Sequence, residues 1–404
     1  MGLILGIGVE RANAADEMND PLSYRVTVES PVSASSDDRY WFQARVGAVA
    51  PNHCLAELVL TAQLIDRQGS HLYHGLVSWR SHDLGKTWQG PAPQAGLDRR
   101  TAGKGLLEVP ADMTPFWHQK TGKLLLTGVT FLLNEKRKSF VLDAGSSTAY
   151  SVYDASTRTW SEYRKLKMPE EKAFGYARAG CSQAWELPDG DILLPIYFKE
   201  VSELEHFKTT VVRCRFDGKT LRYLDRGNDL ELPIKRGLYE PSLTKFRDTY
   251  YLTLRNDDEG YLATSSDGLH FGPPRKWKFD DGSPLGSANT QQHWVTHSDA
   301  LFLAYTRKNA DNEEVFRNRA PLFMAEVDRK TGALIRSTET ILLPKVGTSE
   351  FGNFGVGNVD ANETWVTAGR GDAKSGEPSI YIARIQWSKP NRLAPQPHSL
   401  TQGN

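Results

Sequence analysis

Ser81-His82-Asp83-Leu84-Gly85-Lys86-Thr87-Trp88 is the stretch that decides how this chain folds. It fits the pattern S-x-D-x-G-x-T-W at every fixed position. Each fixed residue has a mechanical job. The Ser and Asp side chains can bond backbone groups within the turn. Gly permits backbone geometry that other residues resist. Trp offers a large apolar ring that can pin a hairpin to its neighbours.

A turn of this kind invites a search for copies. Ser265-Ser266-Asp267-Gly268-Leu269-His270-Phe271 is a second, with Phe in place of Trp, and Ser151-Val152-Tyr153-Asp154 followed by Trp160 is a looser third. Segments starting at Arg213, Met324 and Ile382 carry the same strand without the full turn. The six starts, at 81, 151, 213, 265, 324 and 382, are separated by 70, 62, 52, 59 and 58 residues. Six similar units in 404 residues predict an all-β protein, a six-bladed β-propeller of four-stranded antiparallel blades. Short apolar runs between the turns agree: Leu58–Leu64, Leu124–Val129, Ile192–Phe198, Tyr250–Leu254, Leu301–Tyr305 and Thr364–Ala368. Each has strand length, and no long stretch has helical periodicity.

Composition sets bounds. A propeller uses the whole chain as one domain, and no Gly/Ser-rich or Pro-rich linker divides it, so residues 15–404 are read as a single domain. The formal net charge is zero, which gives no reason to expect nucleic acid or an anionic membrane surface. Leu3–Val9 is a short apolar run and Ala12-Asn13-Ala14 an A-x-A site, so residues 1–14 read as a signal-peptide remnant and the mature protein as periplasmic or secreted. No segment reaches the roughly 20 apolar residues of a membrane span. Cys54, Cys181 and Cys214 have neither metal nor disulfide-framework spacing; Cys181 and Cys214 could pair within a blade, but buried free thiols are the expectation. No cofactor is expected, and a monomer is.

Inner strands of a propeller converge on a central channel. Their predicted starts carry Arg45, Asp112, Ser182 and Gln183, Tyr239 and Glu240, Gln291 to His293, and Asn353 with Phe354. Polar side chains inside a ring of apolar strands are costly unless paired or wet. The second strands should end at the same face and bring arginines: Arg255 follows Glu240 by 15 residues, as Arg307 follows Gln292. Arg317, Arg319 and Arg370 follow. A neutral protein that gathers arginines at one mouth suits an anion, and the planar guanidinium fork suits a carboxylate.

These residues resemble the sialidase (neuraminidase) superfamily of six-bladed propellers with Asp-box turns, over nearly the whole chain. The resemblance implies three arginines gripping a substrate carboxylate, a Glu polarising a Tyr nucleophile, and an Asp acid/base before the first Asp box. Arg45 then takes the first arginine's role, Arg255 the second and Arg317 or Arg319 the third, with Glu240 as the Glu. The chain also departs from that pattern. Gly47 stands where the first-arginine strand has Pro, His71 is nearest the acid/base position with Asp66 the only carboxylate close by, and no Tyr lies between Tyr305 and Tyr381.

The sequence thus supports a sialidase-like glycosidase acting on a carboxylate-bearing sugar. Catalytic candidates are Glu240 and Tyr239, with Asp66, Asp112 or His71 as partner. Arg45, Arg255, Arg307, Arg317, Arg319, Gln183 and Asn353 are the substrate-binding candidates. A polysaccharide lyase is the alternative, with His71, His293 or Tyr239 removing the proton α to a uronate carboxyl. A carbohydrate-binding propeller without chemistry is the third possibility.

Overall fold

The computed structural model describes residues 6–8, 21–50, 56–67, 72–134, 136, 139–141, 145–203 and 206–396. Six antiparallel blades follow one another around a channel. Blade 1 runs Arg39–Val49, Glu57–Asp66, Tyr73–Ser81 and Gln89–Pro93. Blade 2 has Leu106–His118, Lys123–Asn134 and Ser146–Asp154, with two short outer strands at Thr159–Trp160 and Arg164–Lys165. Blade 3 has an inner strand in two pieces, Tyr176–Arg178 and Trp185–Glu186, then Asp191–Lys199, Lys208–Phe216 and Leu221–Arg226. Blades 4 and 5 are built from Tyr239–Phe246, Thr249–Arg255, Gly260–Ser265 and Arg275–Lys276, and from His293–Thr296, Leu301–Tyr305, Leu322–Glu326 and Thr340–Leu343.

Blade 6 draws on both ends of the chain. Phe354–Asn358, Glu363–Gly369 and Pro378–Trp387 supply three strands, and Tyr24–Ser33 pairs antiparallel with the last of them. Gly6–Gly8 adds a short strand outside Tyr24–Ser33; the rest of the expected signal segment lies outside the described residues, as does Cys54. One departure from six separate sheets appears between blades 2 and 3. Ser146 and Ser147 pair parallel with Tyr176 and Ala177, which fuses the two blades into one hydrogen-bonded sheet.

The apolar runs are the second strands. Each is flanked by strands on both sides and covered by a blade on both faces, so an alternating polar face has no place: Leu58, Val59 and Leu60 are all fully buried. The core lies between blades rather than within them. One buried cluster joins Leu252 and Leu254 to Leu193 and Val211, for example, and another joins Trp365 and Ile382 of blade 6 to Trp41, Leu58 and Trp79 of blade 1, which seals the ring. Among the described residues there is no α-helix, and so none long and apolar enough to cross a membrane. Cys181 and Cys214 are buried free thiols.

The opening stretch joins the third and fourth strands of blade 1, at the face where the inner strands end. Ser81 Oγ donates to Asp83 (2.8 Å) and accepts from the Gly85 N–H (2.8 Å), while Asp83 accepts from the Thr87 N–H (2.9 Å) and hydroxyl (2.7 Å). Ser265, Asp267 and Gly268 repeat the core of this net. Trp88 does more than hold its own hairpin, because its ring meets Trp365 of blade 6 at 6.2 Å between centroids. Gly85 has φ of +78°, and a Cβ there would stand 2.5 Å from the Trp365 ring.

Gly85→Ala should therefore cost backbone strain plus a clash at the seam between blades 1 and 6. Gly103, with φ of +80° and nothing within 4 Å of a built Cβ, isolates the backbone part. In urea titrations Gly103→Ala should cost about 1 kcal/mol. Gly85→Ala should cost clearly more, and equal losses would show that Trp365 simply moves aside.

Candidate active site

The channel-facing residues sit on a repeated irregularity. Pairing between inner and second strands slips between Phe42 and Arg45 in blade 1, Ala111 and Thr114 in blade 2, and Tyr239 and Ser242 in blade 4. In blade 3 the inner strand breaks between Arg178 and Trp185. Each break holds one non-glycine residue at positive φ: Gln43 (53°), Asp112 (56°), Cys181 (61°) and Glu240 (45°). A bulge leaves one residue unpaired and re-aims its side chain. Such backbone costs about 1–3 kcal/mol per residue and collects at functional sites.

Three of the four breaks are bonded to one another, while Glu240 pairs with Arg255. The Gln43 amide donates to the Asp112 carboxyl and to Cys181 Sγ (3.6 Å), and the Cys181 N–H donates to the Asp112 carbonyl (3.0 Å). Burial, then the Glu240 charge, lifts the Asp112 carboxyl to about 7. Burial pushes the Cys181 thiol up as well.

Two residues further along each strand, a second layer ties the blades beneath the ring. Arg45 is buried and donates to the Asp112 carbonyl (3.0 Å) and the Thr114 hydroxyl (2.6 Å). Ser242 Oγ meets His293 Nδ1 at 2.8 Å, and Gln183 spans the Trp294 N–H (2.7 Å) and carbonyl (3.0 Å). Burial, then Arg45, holds His293 far below its ordinary pKa, hence neutral.

Arginines crowd one side of the mouth. Arg255 pairs with Glu240, donates to Asn289 Oδ1 (2.6 Å) and lies 4.7 Å from the Tyr239 ring centroid. Burial works against its charge and Glu240 more than offsets this, so its pKa is raised. Arg319 donates to the Asn289 carbonyl (2.8 Å) and pairs with Glu350 (3.2 Å). Burial, then Arg255, brings Arg319 down to about 10. Arg236 binds Asp257 and the Tyr239 hydroxyl (2.6 Å). Arg317 is exposed and stacks on Phe316 at 4.7 Å; among the described residues it has no carboxylate partner. Partial loss of water around its guanidinium, then Arg255 and Arg236, lowers its pKa. The buried Nε–H groups of Arg255 and Arg319 also lack partners among the described residues.

Set against the sequence reading, Glu240, Arg255, Arg317 and Arg319 come together. A register slip lies between Tyr239 and Ser242, and the Tyr239 and Glu240 side chains take different partners: the Tyr239 hydroxyl donates to Asp257 (2.5 Å), and burial raises its pKa. Arg45 is not in the arginine group. The register slip turns Gln43 into the channel and leaves Arg45 inside the wall. Arg307 is held by Glu339 at 2.7 Å, away from Arg255. Asp66 bonds Arg39 (3.0 Å) and His74 (2.7 Å); burial raises its pKa, but these partners outweigh that and keep it below the ordinary value, unlike a proton donor. His293 and Gln183 are cross-ties of the second layer. Asn353 is partly exposed at the blade 6 start, without a hydrogen bond among the described residues, and His71 lies outside them.

Sequence reasoning missed Gln43, Cys181, Arg236, Asn289 and Glu350. A signal for Gln43 existed: it precedes Arg45 by two positions, as Glu240 precedes Ser242. Asn289 and Glu350 lie on connections, where no periodicity marks them.

A cavity of about 790 Å³ opens at the other end of the channel, lined by the far ends of the inner strands with Trp117 and Trp185 in its wall. It gathers none of the bonded ionisable groups described above. No group of His, Cys, Asp and Glu among the described residues has the arrangement of a metal site.

No family model matches the chain, and no curated protein matches it in sequence. Solved structures do. A protein of unknown function from Dyadobacter fermentans aligns over 89% of this chain and 99% of its own, at 16% identity and a TM-score of 0.60. Trypanosoma rangeli sialidase in complex with sialic acid aligns over 89% of this chain at 14% identity and a TM-score of 0.55, and this chain spans 55% of its length. Hadza microbial sialidase Hz136 aligns over 87% of this chain and 66% of its own, at 14% identity and a TM-score of 0.58. The likeness is one of fold.

Asp112 gives the site a pH signature independent of any substrate. Its folded pKa of about 7 lies above its ordinary value of 3.8, so its stabilising contribution is complete below pH 4. That contribution is lost as pH rises to about 7 and stays lost above. Asp112→Asn should remove this decline and exceed wild type by a few kcal/mol, on the order of 1.4 kcal/mol per pKa unit, above pH 7. Identical slopes of unfolding free energy against pH for the two proteins would show that Asp112 is not a buried neutral acid.

Proposed function

We propose that this protein is a sialidase-like glycoside hydrolase whose substrate is a sugar bearing a carboxylate. The observation that carries the reading is the group of Arg255, Arg317, Arg319 and Arg236 at the mouth beside Glu240, with Arg317 lacking any carboxylate partner among the described residues. Partly buried guanidinium groups that repel one another gain from an added anion, and N–H groups without partners give it directional contacts. The likeness to sialidases, one of them solved with sialic acid, supports the substrate class.

The mechanism differs from the one the resemblance implied. Gln43 occupies the channel-facing place in blade 1, so the first arginine's contribution is missing, and the start of blade 6 offers Asn353 and Phe354 in place of a tyrosine. Of the tyrosines at the mouth, Tyr239 is held by Asp257 and Arg236, and Tyr40 is pushed up to about 12 by burial and Glu350. Both are poor nucleophiles at neutral pH. A uronate lyase would need an accessible free base: Tyr239 is held by Asp257 and Arg236, His293 is buried and bonded to Ser242 through Nδ1, and His71 lies outside the described residues. Export to the periplasm or beyond, expected from residues 1–14, belongs to the same proposal.

Screening the purified protein on sialosides and uronate polysaccharides tests the class. Release of the free acidic sugar supports it; an unsaturated product absorbing in the ultraviolet overturns it in favour of a lyase, and binding without either product reduces the protein to a lectin. For the best ligand, Arg255→Ala and Arg319→Ala should each weaken binding by about 1.5–3 kcal/mol, the scale of a charged hydrogen bond. Arg317→Ala should weaken binding at unchanged melting temperature, since it is exposed. Unaltered affinity in all three variants, measured by calorimetry, would remove the anion site.

A further inference from the structure

Among the carboxyls of the site described above, Asp112 is the one that the anion-site reading leaves without a task. The others each touch a cation: Glu240 pairs with Arg255, Glu350 with Arg319, Asp257 with Arg236, and Asp66 with Arg39. The Asp112 carboxyl instead receives a hydrogen bond from a neutral amide, that of Gln43. Arg45, its nearest cation by contact, donates to the Asp112 carbonyl and to Thr114. Further groups face it from every side. Arg178 of blade 3 and Arg255 of blade 4 draw it toward ionisation, Glu240 opposes this, and Tyr73, Cys181 and Tyr197 surround it as uncharged groups.

Asp112 and Glu240 therefore occupy the same place on two bulges in opposite settings. One is buried against neutral groups and the other is bonded to an arginine. Two carboxyls in contrasting surroundings, one among neutral groups and one bonded to a cation, are the structural setting of acid and base roles in one site. The bulge also holds Asp112 at φ of 56°, a costly backbone conformation of the kind that collects at functional sites.

We propose that Asp112 is the proton-transfer residue of this site, donating to the departing glycosidic oxygen and recovering a proton from the attacking water. The inference rests on the hydrolase reading above. In the first step the Asp112 O–H proton passes to the glycosidic oxygen as the bond from that oxygen to the anomeric carbon breaks. The bonding pair leaves with the oxygen, and the alcohol departs neutral. The positive charge left on the sugar faces the Glu240 carboxylate. In the second step water bonds through its oxygen to the anomeric carbon and gives one proton to the Asp112 carboxylate. The sum is one glycoside and one water converted to a free sugar and an alcohol, with Asp112 protonated again. A carboxyl near pH 7 serves both directions, because proton transfer is most effective when the pKa is close to the working pH.

The test compares wild type and Asp112→Asn on two glycosides of the acidic sugar identified by the screen. One carries nitrophenolate, which leaves without a proton; the other carries a simple alkyl alcohol, which does not. Asn is isosteric and accepts positive φ, and melting curves check the fold. The variant should lose about 100- to 10,000-fold in kcat/KM on the alkyl glycoside, and less than about tenfold on the nitrophenyl one. The alkaline limb of the wild-type pH profile near 7 should vanish. Equal losses on both substrates, or an unchanged limb, would overturn the role. If Asp112→Asn does not fold, Gln43→Leu serves instead. Removing an N–H that favours the carboxylate should move the limb to higher pH, and an unmoved limb would overturn the role equally. Failure of wild type to hydrolyse any acidic glycoside sinks the hydrolase reading and this role with it. Hydrolysis that survives Asp112→Asn intact sinks the role alone.

Discussion

The antiparallel pairing of Tyr24–Ser33 with Pro378–Trp387 sets the circumference of the ring, since it completes the sixth blade from the two ends of the chain. Six blades that pack only on their neighbours leave two exposed faces unless the last meets the first. The Trp365 and Trp41 cluster fills that seam. With the circle complete, the inner strands have no freedom to splay, and residues far apart in sequence are held within bonding distance. Gln43 to Asp112 and Asn289 to Arg255 are contacts of this kind. Burying such groups is costly unless each finds a partner. The polar ring is thus tolerable only because the circle fixes every partner's position.

Much of this architecture was legible. The second strands show themselves as unbroken apolar runs because they are covered on every side, and the third strands end in turns with a distinctive side-chain net. The closing strand was not, because Tyr24–Ser33 has the same local character as any edge strand and its partner is at the far end of the chain. The fusion of blades 2 and 3 rests on two short parallel rungs, which no sequence period encodes.

The site was half legible, for a geometric reason. Strand residues alternate faces, so a slip of register changes which residue reaches the channel. Counting along an ideal strand selects Arg45, whereas the bulge delivers Gln43. Arg255 and Arg307 look equivalent by spacing, yet Glu339, 32 residues beyond Arg307, captures one of them. Spacing places a backbone, but the partner of a long charged side chain is settled by whichever carboxylate the fold brings near.

The continuous sheet made by blades 2 and 3 has a mechanical consequence. Asp112 is carried by one of its strands, and Cys181 lies on the loop between two of its short inner segments, where the Asp112 carbonyl holds its backbone. On the opposite side, Asn289, Arg317, Arg319 and Glu350 stand on connections between strands, among them the exposed stretch around Phe316. The mouth therefore has one stiff lip and one compliant lip. Any adjustment to the outline of a guest falls to the compliant, cationic lip, while the carboxyl on the stiff one keeps its aim.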